Sequence, residues 1–437
     1  MTVNIGTGNL LSPGAATTDL TIGGAGSLVI TSAGQVGTVG VVSAPFLTSL
    51  ANLQGTTTGL INIFDTDAAG LTVNGALSSG NGNISLTCAA GGTLQNTGTI
   101  NAGSGVVVLA ADNMALGATI TGNGGIELSP NPFSNNRGID LVDNSGGAGV
   151  LNLSLAEMQF LSSTGTVSLG IANTVGGVIN IGNQGDVDLS AQGYSLELRG
   201  NSNVNFNFSA PHNLTIKNGG TLTVAIGAGQ LLSPGDTSLD LAAVSGGSVN
   251  LKVTSASGIG SASAPLTTQL GSGAFSAPST GGVGAVFLAN TGDFLVNAPV
   301  FTSNGNYNVT TSGTFINTTA GTINAGSGTI NITSGGLSIG GNMSAANVNL
   351  VPITAGLGIG LNDAAKAFNI SATALQNLLV PSTGTVTLGS AAGTEQITIG
   401  TDGAIDLTGN SYNLTLQTLS GGAKFNNLLQ LLSLIHI

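Results

Sequence analysis

The sequence predicts an all-β solenoid, in which short strands and turns wind into stacked coils. Three observations support this prediction. Apolar and polar residues alternate in short triplets, long stretches recur in the same order, and the 437 residues include 71 Gly but only 11 Pro. Alternation with a period of two is typical of half-buried strands, recurrence is typical of stacked arrays, and Gly tolerates the positive φ angles of tight turns.

The composition excludes several classes of protein. Charged residues make up 5% of the chain and hydrophobic residues 41%, whereas disordered chains are poor in apolar residues and rich in charge. The formal net charge is −12, so the chain lacks the cluster of basic residues that binding to nucleic acids or anionic lipid surfaces requires. We therefore expect a folded chain with no nucleic-acid partner.

Long repeats organise the chain. The stretch GTINAGSG occurs at Gly98–Gly105 and again, unchanged, at Gly321–Gly328. GTGNLLSPG at Gly6–Gly14 returns as GAGQLLSPG at Gly227–Gly235. Two further matches, STGTVSLG with STGTVTLG and GYSLEL with SYNLTL, keep the same order at similar offsets.

These matches divide the chain into two copies of one long unit. The sequence predicts a first β-solenoid repeat over residues 1–221 and a second over residues 222–431, continuous with the first. Residues 432–437 read LSLIHI, which matches the translation of a sequencing adapter read in frame. We expect this tail, including His436, to be an artefact and exclude it from fold prediction.

Within each copy, apolar-polar-apolar triplets predict the strands. In the second copy the triplets are Ile330–Ile332, Leu337–Ile339, Val348–Leu350, Val386–Leu388, Ile397–Ile399, Ile405–Leu407 and Leu414–Leu416. Clusters of Gly, Asn, Ser and Thr between them are turn material. Two strands with their turns give roughly 20 residues per coil, and so roughly 20 coils in all. We expect a narrow aliphatic core and ladders of stacked Asn and Thr at the turns.

One feature interrupts the strand pattern in each copy. Leu151–Gly165 and Phe368–Gly384 occupy equivalent places, and Ala156 to Leu161 and Ala372 to Leu379 have a helical pattern. The sequence predicts one short helix per repeat, packed against the side of the solenoid, with Pro381 ending the second helix. Its expected role is to cover a coil face, and a binding patch is the alternative.

The single cysteine, Cys88, excludes an intrachain disulfide framework and is expected to be a small buried hydrophobic residue. The start of the chain has neither the basic nor the apolar region of a signal peptide. No window holds about 18 uninterrupted apolar residues, so we expect no membrane insertion of this segment.

The chain resembles a known family of adhesins. GIGLNDAAKAFNISATALQNLLVPSTGTVTLGS at Gly358–Ser390 and GTINAGSGTINITSGGLSIGGNMSA at Gly321–Ala345 are similar to the repeat shafts of filamentous-haemagglutinin-like proteins, which bacteria export by two-partner secretion. The resemblance implies a right-handed parallel β-helix at the outer cell surface. It also implies an outer-membrane transporter during export, and adhesion to glycans or proteins of host or bacterial cells. The family's N-terminal secretion domain is not seen, so we expect an internal fragment.

The alternative hypothesis is a carbohydrate-active β-helix, either a polysaccharide lyase or a depolymerase. Paired carboxylates could supply an acid and a base. The candidates are Asp65 with Asp67, Asp140 with Asp143, Asp186 with Asp188, and Asp402 with Asp406. A lyase also needs Lys or Arg to neutralise the carboxylates of its uronate substrate. The basic residues are scattered along the chain: Arg137, Arg199, Lys217, Lys252, Lys366 and Lys424.

We therefore predict a structural and adhesive shaft, with no enzymatic activity, catalytic residue or cofactor. The calcium-loading nonapeptide and the EF-hand loop are absent from the sequence, so no metal site is predicted. An acid-lined groove with a basic residue on an adjacent coil would favour the enzyme, and a smooth polar surface would favour the shaft. A matrix or surface-layer component is a third hypothesis.

Overall fold

The computed structural model describes residues 1–14, 17–38, 45–132, 137–143, 150–171, 177–236, 238–279 and 281–431. The predicted adapter tail, 432–437, lies outside the described residues. The chain forms two compact units, Met1–Gly227 and Ala228–Ile437, called unit 1 and unit 2 below. In both, the regular structure is almost entirely short parallel strands, which are joined by turns.

The strands of unit 1 are mostly two to six residues long. They are β1 Thr2–Asn4, β2 Leu20–Thr21, β3 Ser27–Ser32, β4 Phe46–Ser49, β5 Asn52–Thr56, β6 Ile61–Asp65, β7 Gly70–Ser78, β8 Ile84–Cys88, β9 Thr93–Asn96, β10 Ile100–Asn101, β11 Val106–Ala110, β12 Asn113–Leu116, β13 Ile120–Thr121, β14 Gly125–Ser129, β15 Ile139–Leu141, β16 Leu151–Leu153, β17 Leu161–Ser162, β18 Thr166–Leu169, β19 Ile179–Ile181, β20 Val187–Leu189, β21 Ser195–Arg199, β22 Val204–Phe206, β23 Leu214–Ile216 and β24 Gly220–Ala225.

The strands of unit 2 follow the same pattern. They are β25 Gln230–Leu232, β26 Leu241–Ala242, β27 Val249–Ser255, β28 Gly258–Ile259, β29 Leu266–Gln269, β30 Ala274–Ala277, β31 Ala285–Asn290, β32 Phe294–Phe301, β33 Tyr307–Asn317, β34 Ile323–Asn324, β35 Thr329–Ile339, β36 Met343–Ser344, β37 Asn347–Pro352, β38 Ile359–Leu361, β39 Phe368–Ile370, β40 Leu378–Leu379, β41 Thr385–Gly389, β42 Ile397–Ile399, β43 Ile405–Leu407, β44 Asn413–Gln417, β45 Ala423–Phe425 and β46 Leu429–Leu431.

Parallel pairing between strands of successive coils confirms the predicted solenoid. In unit 1 one column runs through β2, β4, β6, β8, β11, β14, β18, β21 and β24. In unit 2 the equivalent column runs through β25, β28, β31, β33, β35, β37, β41 and β44. Each strand therefore satisfies its backbone groups with the strands one coil before and one coil after it.

In the core, apolar side chains at the same register position stack from coil to coil. Ile84 pairs with Val107 and Val107 with Ile126, and these side chains are wholly or almost wholly buried. Aromatic residues also stack in the core: in unit 2, Phe294 pairs with Phe315, with ring centroids 6.0 Å apart. Burial of such side chains stabilises each coil by about 1.5–3 kcal/mol per residue, which is why few ion pairs are needed.

The repeated octapeptide forms the same turn in both units. In unit 2, Oδ1 of Asn324 accepts a hydrogen bond of 2.9 Å from the amide of Gly326. The amide of Ser327 donates to Oδ1 of Asn304, one coil earlier, at 3.0 Å. Gly326 has a φ of +55°, and a Cβ there would collide with the Asn304 side chain. The turn therefore requires both this glycine and the asparagines, which explains why the letters recur.

Among the described residues, each unit contains one short helix, as predicted. Helix α1 is Leu155–Gln159 and helix α2 is Ala372–Gln376. The predicted end of α2 at Pro381 is wrong, because the chain returns to strand β40 first. The side chain of Leu378 is buried and its backbone pairs with Met343, and burial of an apolar residue outweighs local helix propensity.

Candidate functional site

A cluster of charged residues lies on the outward-facing side of the unit 1 column. Glu127, Ser168 and Glu197 occupy one register position on the neighbouring strands β14, β18 and β21. Their strand neighbours point into the core, so these three side chains point outward. Arg199 lies two residues beyond Glu197 and so shares this face. We call these four residues the charged ladder.

One guanidinium joins both carboxylates of the charged ladder. Arg199 Nη2 lies 2.6 Å from Oε2 of Glu197, and Arg199 Nη1 lies 3.1 Å from Oε2 of Glu127. The hydroxyl of Ser168 donates to Oε2 of Glu197 at 2.9 Å. The side chains of Arg199, Glu127 and Glu197 are 29%, 27% and 18% exposed, so the cluster is accessible but partly shielded from water.

Burial and the arginine act on Glu127 in opposite directions. Burial raises the pKa of Glu127 above its ordinary value, and the positive charge of Arg199 partly offsets this effect. The cluster carries two negative charges and one positive charge when all three groups are ionised. It can therefore hold a cation or a donor-rich neutral group more readily than an anion.

The same face of unit 2 is neutral. Across the two copies, Glu127 corresponds to Asn349, Ser168 to Thr387, Glu197 to Thr415 and Arg199 to Gln417, because the strands carrying them align. All three charged residues are thus replaced together. This outward face lines an open groove of about 380 Å³, formed by Asn331, Ile332, Thr333, Asn349, Val351, Thr387, Gly389, Ser390 and Gln417.

Two asparagines of this groove, Asn331 and Asn349, belong to a ladder that extends beyond it. Nδ2 of Asn331 donates to Oδ1 of Asn308 at 2.7 Å, and Nδ2 of Asn349 donates to Oδ1 of Asn331 at 2.7 Å. The predicted ladders were placed at turns, whereas this one runs along the outer strand face. Outward-facing strand positions repeat in register from coil to coil, and the flat face keeps successive side chains at hydrogen-bonding distance. We call Asn308, Asn331 and Asn349 the amide ladder.

In each of the first two predicted acid pairs, the two carboxylates make separate contacts. Asp65 is fully buried at the end of β6, and Asp67 lies in the following turn, where it accepts from the amide of Ala69 at 3.0 Å. Asp140 is also buried and accepts from Nδ2 of Asn180, in the neighbouring strand, at 2.9 Å. Asp143 accepts from the amide of Asn183 at 3.3 Å. These contacts bridge coils and hold turns.

The other two pairs are engaged in the same way. Asp186 accepts from the amide of Asn213 at 3.1 Å and lies 3.2 Å from Nδ1 of His212. Asp188 and Asp406, which correspond across the copies, each accept at 2.9 Å from the amide two residues ahead. Asp402 accepts from the amide of Ala364.

The basic residues are scattered along the sequence, yet the fold brings one of them, Arg199, to two acids. Winding of the chain brings it to Glu127, 72 residues earlier, which no local spacing indicates. The alignment of GYSLEL with SYNLTL did indicate a difference in charge between the copies, because Glu197 corresponds to a neutral residue of the other copy. Arg137 likewise pairs with buried Asp112 at 3.1 Å.

Cys88 is completely buried, as predicted, and burial raises the pKa of its thiol to about 12. Among the described residues, no group of three or more His, Cys, Asp or Glu side chains is arranged to hold a metal ion. In that part of the chain no helix has the length and apolar character to span a membrane. Comparison with protein-family models, curated proteins and solved structures finds no match to this chain.

Proposed function

We propose that this chain is a structural and adhesive shaft segment of a large secreted bacterial surface protein. It would bind glycans or proteins of other cells through its outer strand faces. The observation that carries this proposal is the open neutral groove of unit 2, in which Asn331 and Asn349 of the amide ladder lie beside Thr387 and Gln417. Stability in this fold comes mainly from stacked apolar positions, so many outward side chains can vary and so specify a surface.

The groove fits a polyhydroxylated ligand. An amide offers both donors and an acceptor, and a threonine hydroxyl offers both functions on one atom. Sugar hydroxyls need the same mixture, and a shallow surface can exchange ordered water for them at little cost. None of the described residues that line the groove is charged, which favours neutral glycans over acidic ones.

A binding assay on the complete chain tests the proposal. The chain is passed over immobilised neutral and acidic polysaccharides, alongside the double variant Thr387→Val and Gln417→Leu. We expect retention on a neutral polysaccharide and at least a ten-fold loss in the double variant, because each substitution removes hydrogen-bonding groups without adding bulk. Thr21→Val with Gln269→Leu, at two exposed strand positions outside the groove, is the matched control. Equal retention of both variants would overturn the proposal.

The charged ladder favours a second candidate function, a carbohydrate-active β-helix. Its two carboxylates and one arginine on adjacent coils supply the acids and the basic residue of the criterion set out for the enzyme, but not its groove, since neither described groove is lined by them. Against it, one guanidinium holds Oε2 of both carboxylates, so proton transfer through these oxygens would first require the ion pairs to break. Incubation with acidic and neutral polysaccharides should yield no new reducing ends and no unsaturated uronate. Product formation that is lost in Glu127→Gln would establish the enzyme instead.

A further inference from the structure

Asp65 of unit 1 and Asn290 of unit 2 occupy equivalent buried positions. Asp65 pairs in register with Thr48, and Asn290 pairs in register with Thr268. Both lie at the carboxyl ends of equivalent strands, β6 and β31. The two side chains differ only in that Asp65 has a carboxyl oxygen, Oδ2, where Asn290 has an amide nitrogen, Nδ2.

The Oδ1 atoms of the two side chains make the same hydrogen bonds. Oδ1 of Asp65 accepts from the hydroxyl of Thr48 at 3.2 Å and from the amide of Leu50 at 3.1 Å. Oδ1 of Asn290 accepts from the hydroxyl of Thr268 at 3.0 Å and from the amide of Leu270 at 3.3 Å. The position therefore has two donors for one oxygen in each unit.

The second atom of each side chain behaves differently. Nδ2 of Asn290 donates to the carbonyls of Asp293 at 2.8 Å and Gly292 at 3.2 Å, and lies 3.3 Å from the hydroxyl of Thr311. The equivalent atom of Asp65, Oδ2, is buried and has no hydrogen-bond partner among the described residues. The surroundings in unit 2 call for a donor at this position, and an ionised carboxylate has none to give.

We propose that Asp65 is a proton-binding site whose Oδ2, once protonated, takes the donor role that Nδ2 of Asn290 has in unit 2. The proton comes from solvent and forms the O–H bond of a neutral carboxylic acid, and no other bond changes. Unit 1 would then be held more tightly in acid than at neutral pH.

The titratable groups around Asp65 do not neutralise its charge. Asp67, on the following turn, is a second acid whose charge opposes ionisation of Asp65. Cys88 faces it in register from β8, where Thr311 faces Asn290 in unit 2. Asp112, another acid near Cys88, is paired with Arg137. An ionised Asp65 would thus be a buried carboxylate with no cation bonded to it.

The direction of the pH effect follows from burial. Burial raises the pKa of Asp65 from 3.8 to about 6, although the hydrogen bonds from Leu50 and Thr48 and the nearby backbone amide of Asp67 lower it. The folded state therefore binds the proton more tightly than the unfolded state does. The stabilising contribution is fully present below the unfolded pKa and is lost as pH rises through the folded pKa.

Native-state hydrogen exchange on the complete chain tests this proposal. Protection of peptides covering β4, β6 and β8 is measured at about pH 5 and about pH 7.5, after correction for the intrinsic exchange rate. We expect opening of this segment to be about ten-fold more frequent at the higher pH. In Asp65→Asn the protection should no longer depend on pH and should exceed that of the wild type at about pH 7.5.

Two further variants separate this proposal from a general effect of charge. Asp67→Asn removes the neighbouring acid but keeps the bond to Ala69, and it should keep the pH dependence of the segment. Asn290→Asp should create a new pH dependence in the peptides covering β31 and β33, relative to the wild-type peptides. Asp240 also titrates in unit 2, since burial raises its pKa to about 6, so the comparison is made peptide by peptide. Unchanged pH dependence in Asp65→Asn, or none in the wild type, would overturn the proposal.

Discussion

Asn349 donates its side-chain amide to Oδ1 of Asn331, one coil earlier, at 2.7 Å. Asn331 repeats the same bond with Asn308, also at 2.7 Å. The middle residue of this ladder is therefore both donor and acceptor. Such bonds fix the lateral position of successive strands without any charge, in a chain of which only 5% is charged.

Replacement of Asn331 by Ala should lower the free energy of unfolding by about 1–3 kcal/mol. The substitution removes two hydrogen bonds and leaves Oδ1 of Asn308 and Nδ2 of Asn349 without their partner. Urea unfolding followed by circular dichroism measures the loss. Asn342→Ala, at an exposed position outside the amide ladder, is the control and should change stability by less than about 0.5 kcal/mol. Equal effects of the two variants would show that the amide ladder contributes nothing.

Gly326→Ala should destabilise unit 2 more than Gly219→Ala destabilises unit 1. Both glycines have positive φ, +55° and +71°, so alanine should cost about 1–2 kcal/mol at either one. A Cβ at Gly219 would meet open space, whereas a Cβ at Gly326 would displace Asn304, which holds the amide of Ser327. The loss of unfolding free energy in Gly326→Ala beyond the loss in Gly219→Ala measures the contribution of Asn304 and its bond between coils. Equal losses would argue against that contribution.

Arg199→Gln should destabilise unit 1 by about 1–2 kcal/mol, because two partly buried carboxylates then lack their cation. The triple variant Glu127→Asn, Glu197→Thr and Arg199→Gln installs the residues of unit 2 and should recover most of this loss. Lys252→Gln, at an exposed position, controls for loss of a positive charge. Thermal unfolding at low and high salt measures all three variants. A triple variant no more stable than the single one would show that the residues do not act together.

Cys88 should not react with a thiol reagent while unit 1 is folded. It is fully buried, and burial raises its thiol pKa to about 12, so almost no thiolate is present at neutral pH. Mass spectrometry should show no labelling in buffer and complete labelling in urea. The variant Ser85→Cys with Cys88→Ser moves the thiol to a partly exposed position in the same strand and should react in buffer. Rapid labelling of the native wild type would contradict the assigned core.

Much of the fold could be predicted because the pattern is local. In the triplet Ile330-Asn331-Ile332, the two isoleucines are buried and the asparagine faces outward, as the alternation indicates. The end of α2 could not be predicted this way. It depends on the burial of Leu378 against the neighbouring coil, which is a tertiary effect.

The charged ladder was beyond the reach of sequence spacing. Glu127 pairs with Ser168, 41 residues later, because the coil between them carries α1, whereas Ser168 pairs with Glu197 after only 29 residues. When coils differ in length, a residue's neighbour one coil away cannot be found by counting. Only the column as a whole, fixed by the buried apolar positions, defines the register.

Within each unit, every strand is matched mainly to its immediate predecessor and successor in the winding. Such a chain can grow by gene duplication, because a newly copied segment needs to pack only against the coil next to it. Once two copies exist, one can keep a neutral outer face while the other acquires charge, with the same interior beneath both. The length of the protein and the chemistry of its surface are therefore free to evolve independently.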